Sequence, residues 1–182
     1  IEEAAGDGDI QQVIEGFGYQ VDVNAKLGHD DDKSDFIFDA EKTISARHKT
    51  FRHYLQQDDW DLFFGVYMTT DRVNHFLFGD YATDGEYAEE FLEFYQTLDA
   101  YIGEVQQLID PETTLIVASD HGFTRLTHEV YLNKWLEDEG WLEYATEDHD
   151  ELGDIDGATR AYSLIPGRVF LNVEGREPNG AV

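Results

Sequence analysis

Two Asp/His pairs are the residues of this chain whose types and spacing could support chemistry. Asp71 and His75 lie four positions apart, a spacing that puts both side chains on one face of a helical turn, where they could share a cation. The alternative is that Asp71 caps a short helix and His75 is a partly buried packing residue, since Asp is common at helix N-caps. Taken alone, this spacing leaves both interpretations open.

The second pair, Asp120 and His121, consists of adjacent residues followed by Gly122. Neighbouring side chains point to opposite faces of a regular strand, but in an irregular turn they can converge on one ion. The same residues are also compatible with a plain polar turn, because Asp and Gly are favoured there. The two pairs together are stronger evidence than either one.

Each pair follows an apolar run that the sequence predicts to be a buried parallel strand. These runs are residues 62–68 and 113–118. Between them an amphipathic helix has its apolar stripe in steps of three and four from Ala88 to Ile109, and Pro111 ends it. Strand, helix and strand predict a βαβ unit with a right-handed crossover. Because functional crevices lie at the carboxyl ends of parallel strands, both pairs are expected at one edge of the sheet.

Two Asp/His groups at one sheet edge suggest a two-metal site, with ions about 3.5–4 Å apart, as used in phosphoryl-ester hydrolysis. The chain has no Cys, so His and carboxylates are its only strong ligands. Oxygen and nitrogen ligands suit zinc or manganese, and magnesium less well. The remaining histidines are predicted to be surface or helix-packing residues: His29, His48, His53, His128 and His149.

The rest of the chain reads as one continuous domain, with residues 1–57 a helical inserted region and 58–182 carrying the core strands. Further predicted helices begin at Asp9, ending near Gly16, and at Ser34, continuing through Leu55. A short helix is predicted at 133–139, and additional strands are predicted at 19–23, 141–144 and 168–172.

The charge balance excludes several kinds of partner. The 182 residues include 40 Asp and Glu against 12 Lys and Arg, a formal charge of −28. Phosphate contacts need clustered Lys and Arg, so a nucleic-acid-binding surface is excluded, and docking on an anionic membrane is disfavoured. Because the acidic residues are spread over the chain, we expect a cytoplasmic protein of a high-salt organism. Aromatic residues make up 14% of the chain, which predicts a packed core.

Several segments carry a resemblance to a known family. They are residues 61–63, 70–75, 115–123, 132–136, 167–172 and 175–177, and the Asp-His-Gly element after an apolar run is the most specific. In these segments the sequence resembles the type I phosphodiesterase/nucleotide pyrophosphatase family of the alkaline phosphatase superfamily. The resemblance spans residues from about 58 to the end.

The resemblance implies an α/β, alkaline phosphatase-like fold with a mainly parallel sheet flanked by helices. It also implies two neighbouring divalent metals, usually zinc, with Asp71 and His75 on one and Asp120 and His121 on the other. The nucleophile, a Thr or Ser, is expected upstream of Ile1, and another His ligand downstream. The chain is therefore expected to carry about half of each metal's ligands and to be inactive alone.

The implied activity is metal-dependent hydrolysis of phosphoester or phosphodiester bonds in a small or nucleotide-like substrate. Two alternatives remain open. One is a non-catalytic structural or interaction domain that retains the fold, and the other is a different superfamily activity, such as that of a phosphomutase or a sulfatase.

Overall fold

Helices dominate the computed structural model, which describes residues 8–57, 60–146, 148, 149 and 152–182. The helices are α1 (Gly8–Gly16), α2 (Ser34–Leu55), α3 (Thr69–Thr83), α4 (Ala88–Leu108) and α5 (Leu132–Asp138), with 3₁₀ turns at Ala25–His29 and Leu152–Asp154. The helices predicted from apolar periodicity are present, with ends within one or two residues of those expected. Within the described ranges, no helix combines the length and apolarity needed to cross a membrane.

The chain divides into two compact units, residues 1–126 and 127–182. In the first unit α2, α3 and α4 surround a core whose fully buried side chains include Phe36 and Ile44 from α2 and Val73 and Leu77 from α3. Phe91 of α4 joins the same cluster. Because Val73 and Leu77 hold one face of α3 in this core, the opposite face is left for polar side chains.

The two predicted parallel strands are not present as strands. Residues 62–67 and 114–119 have no strand partner among the described residues, and several of their apolar side chains are open to solvent: Leu62 is 81% exposed, Phe64 83% and Ile116 80%. The predicted parallel sheet and βαβ crossover are therefore not confirmed. A strand is stable only beside a neighbour that takes up its N–H and C=O groups, and an apolar run does not reveal whether that neighbour exists.

The second unit contains the paired strands of the described chain. Strand β1 (Ala161–Tyr162) and strand β2 (Phe170–Leu171) run antiparallel, with Ala161 opposite Leu171. Of the other predicted strands, 19–23 is not one, 141–144 reduces to a single bridge from Tyr144 to Ile155, and 168–172 reduces to β2. A small core of Leu136, Leu142 and Ala161 holds the unit together.

Candidate active site

Helix α3 positions the first Asp/His pair. Asp71 lies in its first turn and His75 one turn later, and His75 Nε2 is 3.5 Å from Asp71 Oδ1. The helix holds the pair at the surface because its other face is buried through Val73 and Leu77. Asp71 therefore lies within the helix and not at its N-cap, which is Met68.

Arg72 fixes the orientation of the Asp71 carboxylate. Its guanidinium donates two hydrogen bonds to Asp22 Oδ2, at 3.0 and 2.9 Å, and lies 3.4 Å from Asp71 Oδ2. The hydrogen bond with Asp22 is the main cause that raises the pKa of Arg72 above its ordinary value, so this cation remains charged. With Oδ2 of Asp71 beside Arg72, Oδ1 is left facing the histidines.

The second pair lies in a turn whose own hydrogen bonds hold its shape. His121 N–H donates to Asp120 Oδ1 at 3.1 Å, and the Ser119 hydroxyl donates to the His121 carbonyl. His121 Nδ1 lies 2.9 Å from the Gly122 carbonyl, a contact that requires a proton on Nδ1. This hydrogen bond, followed by the charge of Asp120, raises the pKa of His121. In the neutral ring Nε2 then carries the free lone pair.

The structure brings the two pairs together. His121 Nε2 lies 3.9 Å from Asp71 Oδ1 and 3.8 Å from Asp120 Oδ2. Phe123, two residues beyond His121, packs edge-on against the His75 ring with the ring centroids 5.0 Å apart. The four predicted residues therefore gather at one place on the first unit, although the parallel sheet from which that proximity was predicted is not confirmed.

The donor types of this cluster suit zinc or manganese, since they are carboxylate oxygens and imidazole nitrogens. Ligands about 2.0 Å from one tetrahedral zinc stand about 3.3 Å apart. The Asp71 to His75 distance of 3.5 Å is near that value, whereas both distances from His121 are longer. Among the residues that the structure describes, no group of three or more His, Asp or Glu side chains converges enough to hold a metal ion. The donor types therefore fit zinc or manganese, but the distances from His121 are longer than those between ligands of one zinc ion.

The other histidines have contacts of their own, most of them with aromatic rings. His48 is buried and stacks on Tyr101, His29 contacts Phe76, and His149 stacks on Tyr144. His53 packs against Phe17, and His128 contacts Thr127.

Sequence reasoning missed a polar pair beside the cluster. The Asn74 side-chain amide donates to the Thr70 carbonyl at 2.8 Å and to the Tyr95 hydroxyl at 2.5 Å. Asn74 follows Asp71 by three residues, so its place beside Asp71 on α3 could have been read from helical spacing. Tyr95 belongs to the apolar stripe of α4, and the periodicity of a stripe does not show whether a tyrosine hydroxyl in it faces a site.

The cluster gathers carboxylate oxygens and imidazole nitrogens on one surface, and these are donor types found in divalent-cation sites. The type I phosphodiesterase / nucleotide pyrophosphatase family profile matches residues 8–181. The chain belongs to this family, which confirms the resemblance carried by the motifs. The family has an alkaline phosphatase-like fold, is typically dependent on divalent metals, and hydrolyses or transfers phosphoesters.

One curated relative is the GPI ethanolamine phosphate transferase 2 of Eremothecium gossypii. It is 29% identical over 99 residues, which cover 54% of this chain and 11% of that protein. The aligned region is thus a small part of the relative's length. No solved structure matches the chain significantly.

Proposed function

We propose that this chain carries the metal-binding part of a phosphoesterase that hydrolyses phosphoester or phosphodiester bonds in a small or nucleotide-like substrate. The observation that supports it best is the position of Asp71 Oδ1, which faces the Nε2 atoms of both His75 and His121. Family membership supplies the reaction class.

In this proposal Asp71 and His75 ligate one divalent cation and Asp120 and His121 ligate a second, with zinc favoured over manganese. Bound metals would polarise a phosphoryl oxygen and activate the attacking hydroxyl. The cations are needed for binding as well, because two carboxylates beside the site would repel a phosphate anion in a chain of charge −28.

Two neighbouring groups, the Gly122 carbonyl and the Arg72 guanidinium, orient the side chains of His121 and Asp71. The Gly122 carbonyl holds the proton of His121 on Nδ1, so that Nε2 is directed toward Asp71 and Asp120. Such a contact from the far ring nitrogen is typical of histidines that bind metals. Arg72 balances part of the charge of Asp71 and leaves one of its oxygens free.

Metal binding is the direct test. Zinc is titrated into the chain while the ring-proton NMR signals of its seven histidines are followed. We expect the signals of His75 and His121 to shift, and Asp120→Ala to weaken binding at least about tenfold, as is usual when a carboxylate ligand or its support is removed. The matched control is His149→Ala, because His149 stacks on Tyr144 in the second unit and is not one of the four predicted ligands.

Activity is then measured on the gene product that carries these residues, with bis-p-nitrophenyl phosphate and added zinc or manganese. Asp120→Ala should abolish most hydrolysis, while His149→Ala should leave it nearly unchanged. Full activity of Asp120→Ala would refute the site. Zinc binding at other residues, with no hydrolysis, would instead favour a non-catalytic domain.

Transfer to an alcohol is a second candidate, because the relative from Eremothecium gossypii is named as a phosphate transferase. The two activities differ in the acceptor, which is water in hydrolysis and a hydroxyl compound in transfer. Running the same assay with added ethanol and measuring ethyl p-nitrophenyl phosphate separates them.

A further inference from the structure

Asp22 brings a carboxylate to the edge of the Asp/His cluster from residues 1–57, the predicted inserted region. Its Oδ2 accepts hydrogen bonds from both Nε and Nη2 of Arg72, at 3.0 and 2.9 Å. Nη1 of the same guanidinium lies 3.4 Å from Asp71 Oδ2. Arg72 therefore lies between a carboxylate of the cluster and a carboxylate that precedes it by 50 residues in the chain.

The segment that carries Asp22 is anchored on helix α2. Arg47 of α2 is buried, and its guanidinium donates to the carbonyls of Gln20 and Val21 at 3.3 and 2.6 Å. On the other side of Asp22, Val23 belongs to the core of the first unit. Because the backbone is held on both sides of Asp22, the fold keeps this carboxylate in place independently of its ion pair.

Arg47 also anchors the segment that leads into helix α3. Its Nη1 donates to the Val66 carbonyl at 3.0 Å, shortly before α3 begins at Thr69. One side chain of α2 thus holds both the backbone beside Asp22 and the backbone that enters the helix of Arg72. This shared contact fixes the two partners of the ion pair relative to each other.

Asp22 determines which atoms of Arg72 face the cluster. Two of the three guanidinium nitrogens donate to Asp22, and the third, Nη1, faces Oδ2 of Asp71. Oδ1 of Asp71 is left to face the Nε2 atoms of His75 and His121. The ion pair therefore separates the two oxygens of Asp71 into one that contacts Arg72 and one that is directed toward the histidines.

Asp22 also sets the charge that a metal ion meets at Asp71. The charges of Asp22 and Arg72 offset each other, so that the negative charge of Asp71 remains available to a cation. Without the Asp22 carboxylate, the charge of Arg72 would act on Asp71 alone and weaken its attraction for a cation. The side chains of Arg72 and Asp22 are 35% and 28% exposed, so solvent screens this effect only in part.

We propose that Asp22 is a positioning residue for the metal ligand Asp71, and that it acts through Arg72. The ion pair holds Arg72 against one oxygen of Asp71, which directs the other oxygen toward a metal ion shared with His75. The inference rests on the proposed function, in which Asp71 is a metal ligand.

The test is a double-mutant cycle on zinc affinity, measured by zinc titration at constant high salt with the ring-proton signals of His75 as the readout. We expect Asp22→Asn to weaken binding about tenfold, as is usual when a group that orients a metal ligand is removed. In an Arg72→Gln background, Asp22→Asn should change the affinity less than about twofold, because Asp22 then has no route to Asp71. The matched control is Asp35→Asn, which removes one negative charge from an exposed position of α2 and should leave the affinity nearly unchanged.

The cycle separates positioning from a purely structural role of Asp22. Oδ1 of Asp22 also accepts from the Val23 N–H at 2.8 Å, and a structural effect of losing that contact would persist in the Arg72→Gln background. An equal loss of affinity in both backgrounds, or no loss in either, would overturn the positioning role and leave the phosphoesterase proposal intact.

NMR of the metal-free protein distinguishes failure of this inference from failure of the proposed function. The carboxyl-carbon signal of Asp71 reports its contact with Arg72, and Asp22→Asn should shift it in the wild-type background but not beside Arg72→Gln. If this coupling is present while zinc shifts the signals of neither His75 nor His121, Asp22 still positions Asp71 and the metal-dependent phosphoesterase proposal fails. If the Asp71 signal does not respond and no zinc binds, both are overturned.

Discussion

Replacing Tyr67 by Phe removes one hydroxyl from a buried network just before helix α3, which carries the first Asp/His pair. The hydroxyl lies 2.9 Å from His48 Nδ1, and His48 Nε2 lies 3.1 Å from Glu104 Oε2. His48 is 3% exposed and stacks on Tyr101 with ring centroids 3.9 Å apart. The network therefore connects α2, α4 and the segment that enters α3.

Two opposing effects set the change in the free energy of unfolding caused by Tyr67→Phe. At neutral pH the variant loses one hydrogen bond, which costs about 1 kcal/mol. Burial, with smaller contributions from Tyr101 and Glu104, raises the pKa of Tyr67 to about 12 from 10.0. Two pKa units correspond to about 2.7 kcal/mol, and the partial exposure of the ring reduces this to about 2 kcal/mol.

The sign follows from which state ionises first. The unfolded chain loses the Tyr67 proton near its ordinary pKa of 10.0, whereas the folded chain keeps it until about 12. Stability from the neutral phenol is therefore complete below pH 10 and is lost as the pH rises from 10 to about 12. Phe does not ionise, so the variant loses no stability at this position over the same pH range. The wild type should thus be the more stable protein at pH 7 and the less stable one above about pH 11.

The assay is urea unfolding of both proteins between pH 7 and pH 12 at constant high salt. The control is Phe38→Ala, at a 68% exposed site without an ionisable group, which should give a stability difference that does not change with pH. If the stability difference for Tyr67→Phe is also constant over this range, the hydroxyl is not desolvated and the reasoning is refuted.

Three further predictions concern stability. Because a charge of −28 is spread over the chain, the melting temperature followed by circular dichroism should rise between dilute buffer and about molar KCl; an unchanged melt would contradict the high-salt expectation. The hydrogen bond from His48 lowers the pKa of Glu104, so the stability that this carboxylate contributes is present above pH 4.5 and is lost as the pH falls below it. Glu104→Gln should therefore reduce the loss of stability measured on acidification below pH 4.5. Phe36→Ala, at a fully buried site, should lower the free energy of unfolding measured in denaturant by about 3–5 kcal/mol. Phe38→Ala, 68% exposed on the same helix, should lower it by less than about 0.5 kcal/mol, and similar losses for the two variants would contradict the core assignment.

Much of the helical structure could be predicted because its causes are local. The apolar steps of three and four along α2 and α4 predict a buried stripe on each helix. Ala40, Ile44 and Phe91 of these stripes lie in the core, which also takes Phe36 and Phe94 from outside those steps. The relation of Asp71 to His75 is equally local, since four residues of helix place both on one face. The family was also readable from short motifs, because these are strings of adjacent residues.

The sheet could not be predicted in the same way. An apolar run such as 62–68 predicts that the segment favours burial, but strand pairing depends on a neighbouring strand elsewhere in the fold. The described chain supplies no such neighbour, and Leu62 and Phe64 remain exposed.

The sequence alone determined which residues could form the candidate site, because carboxylates and imidazoles are donor types for divalent cations and helical spacing places Asp71 and His75 on one face. Only the tertiary structure decided how the two pairs meet, since Phe123 packs against both His75 and Phe78 and holds the His121 turn beside α3. It also decided that a pocket of about 410 Å³ lies there, with Asp71, Asp120 and His121 among the residues that line it. A pocket depends on the distance and angle between α3, α4 and the turn, and side-chain packing between distant segments sets these quantities.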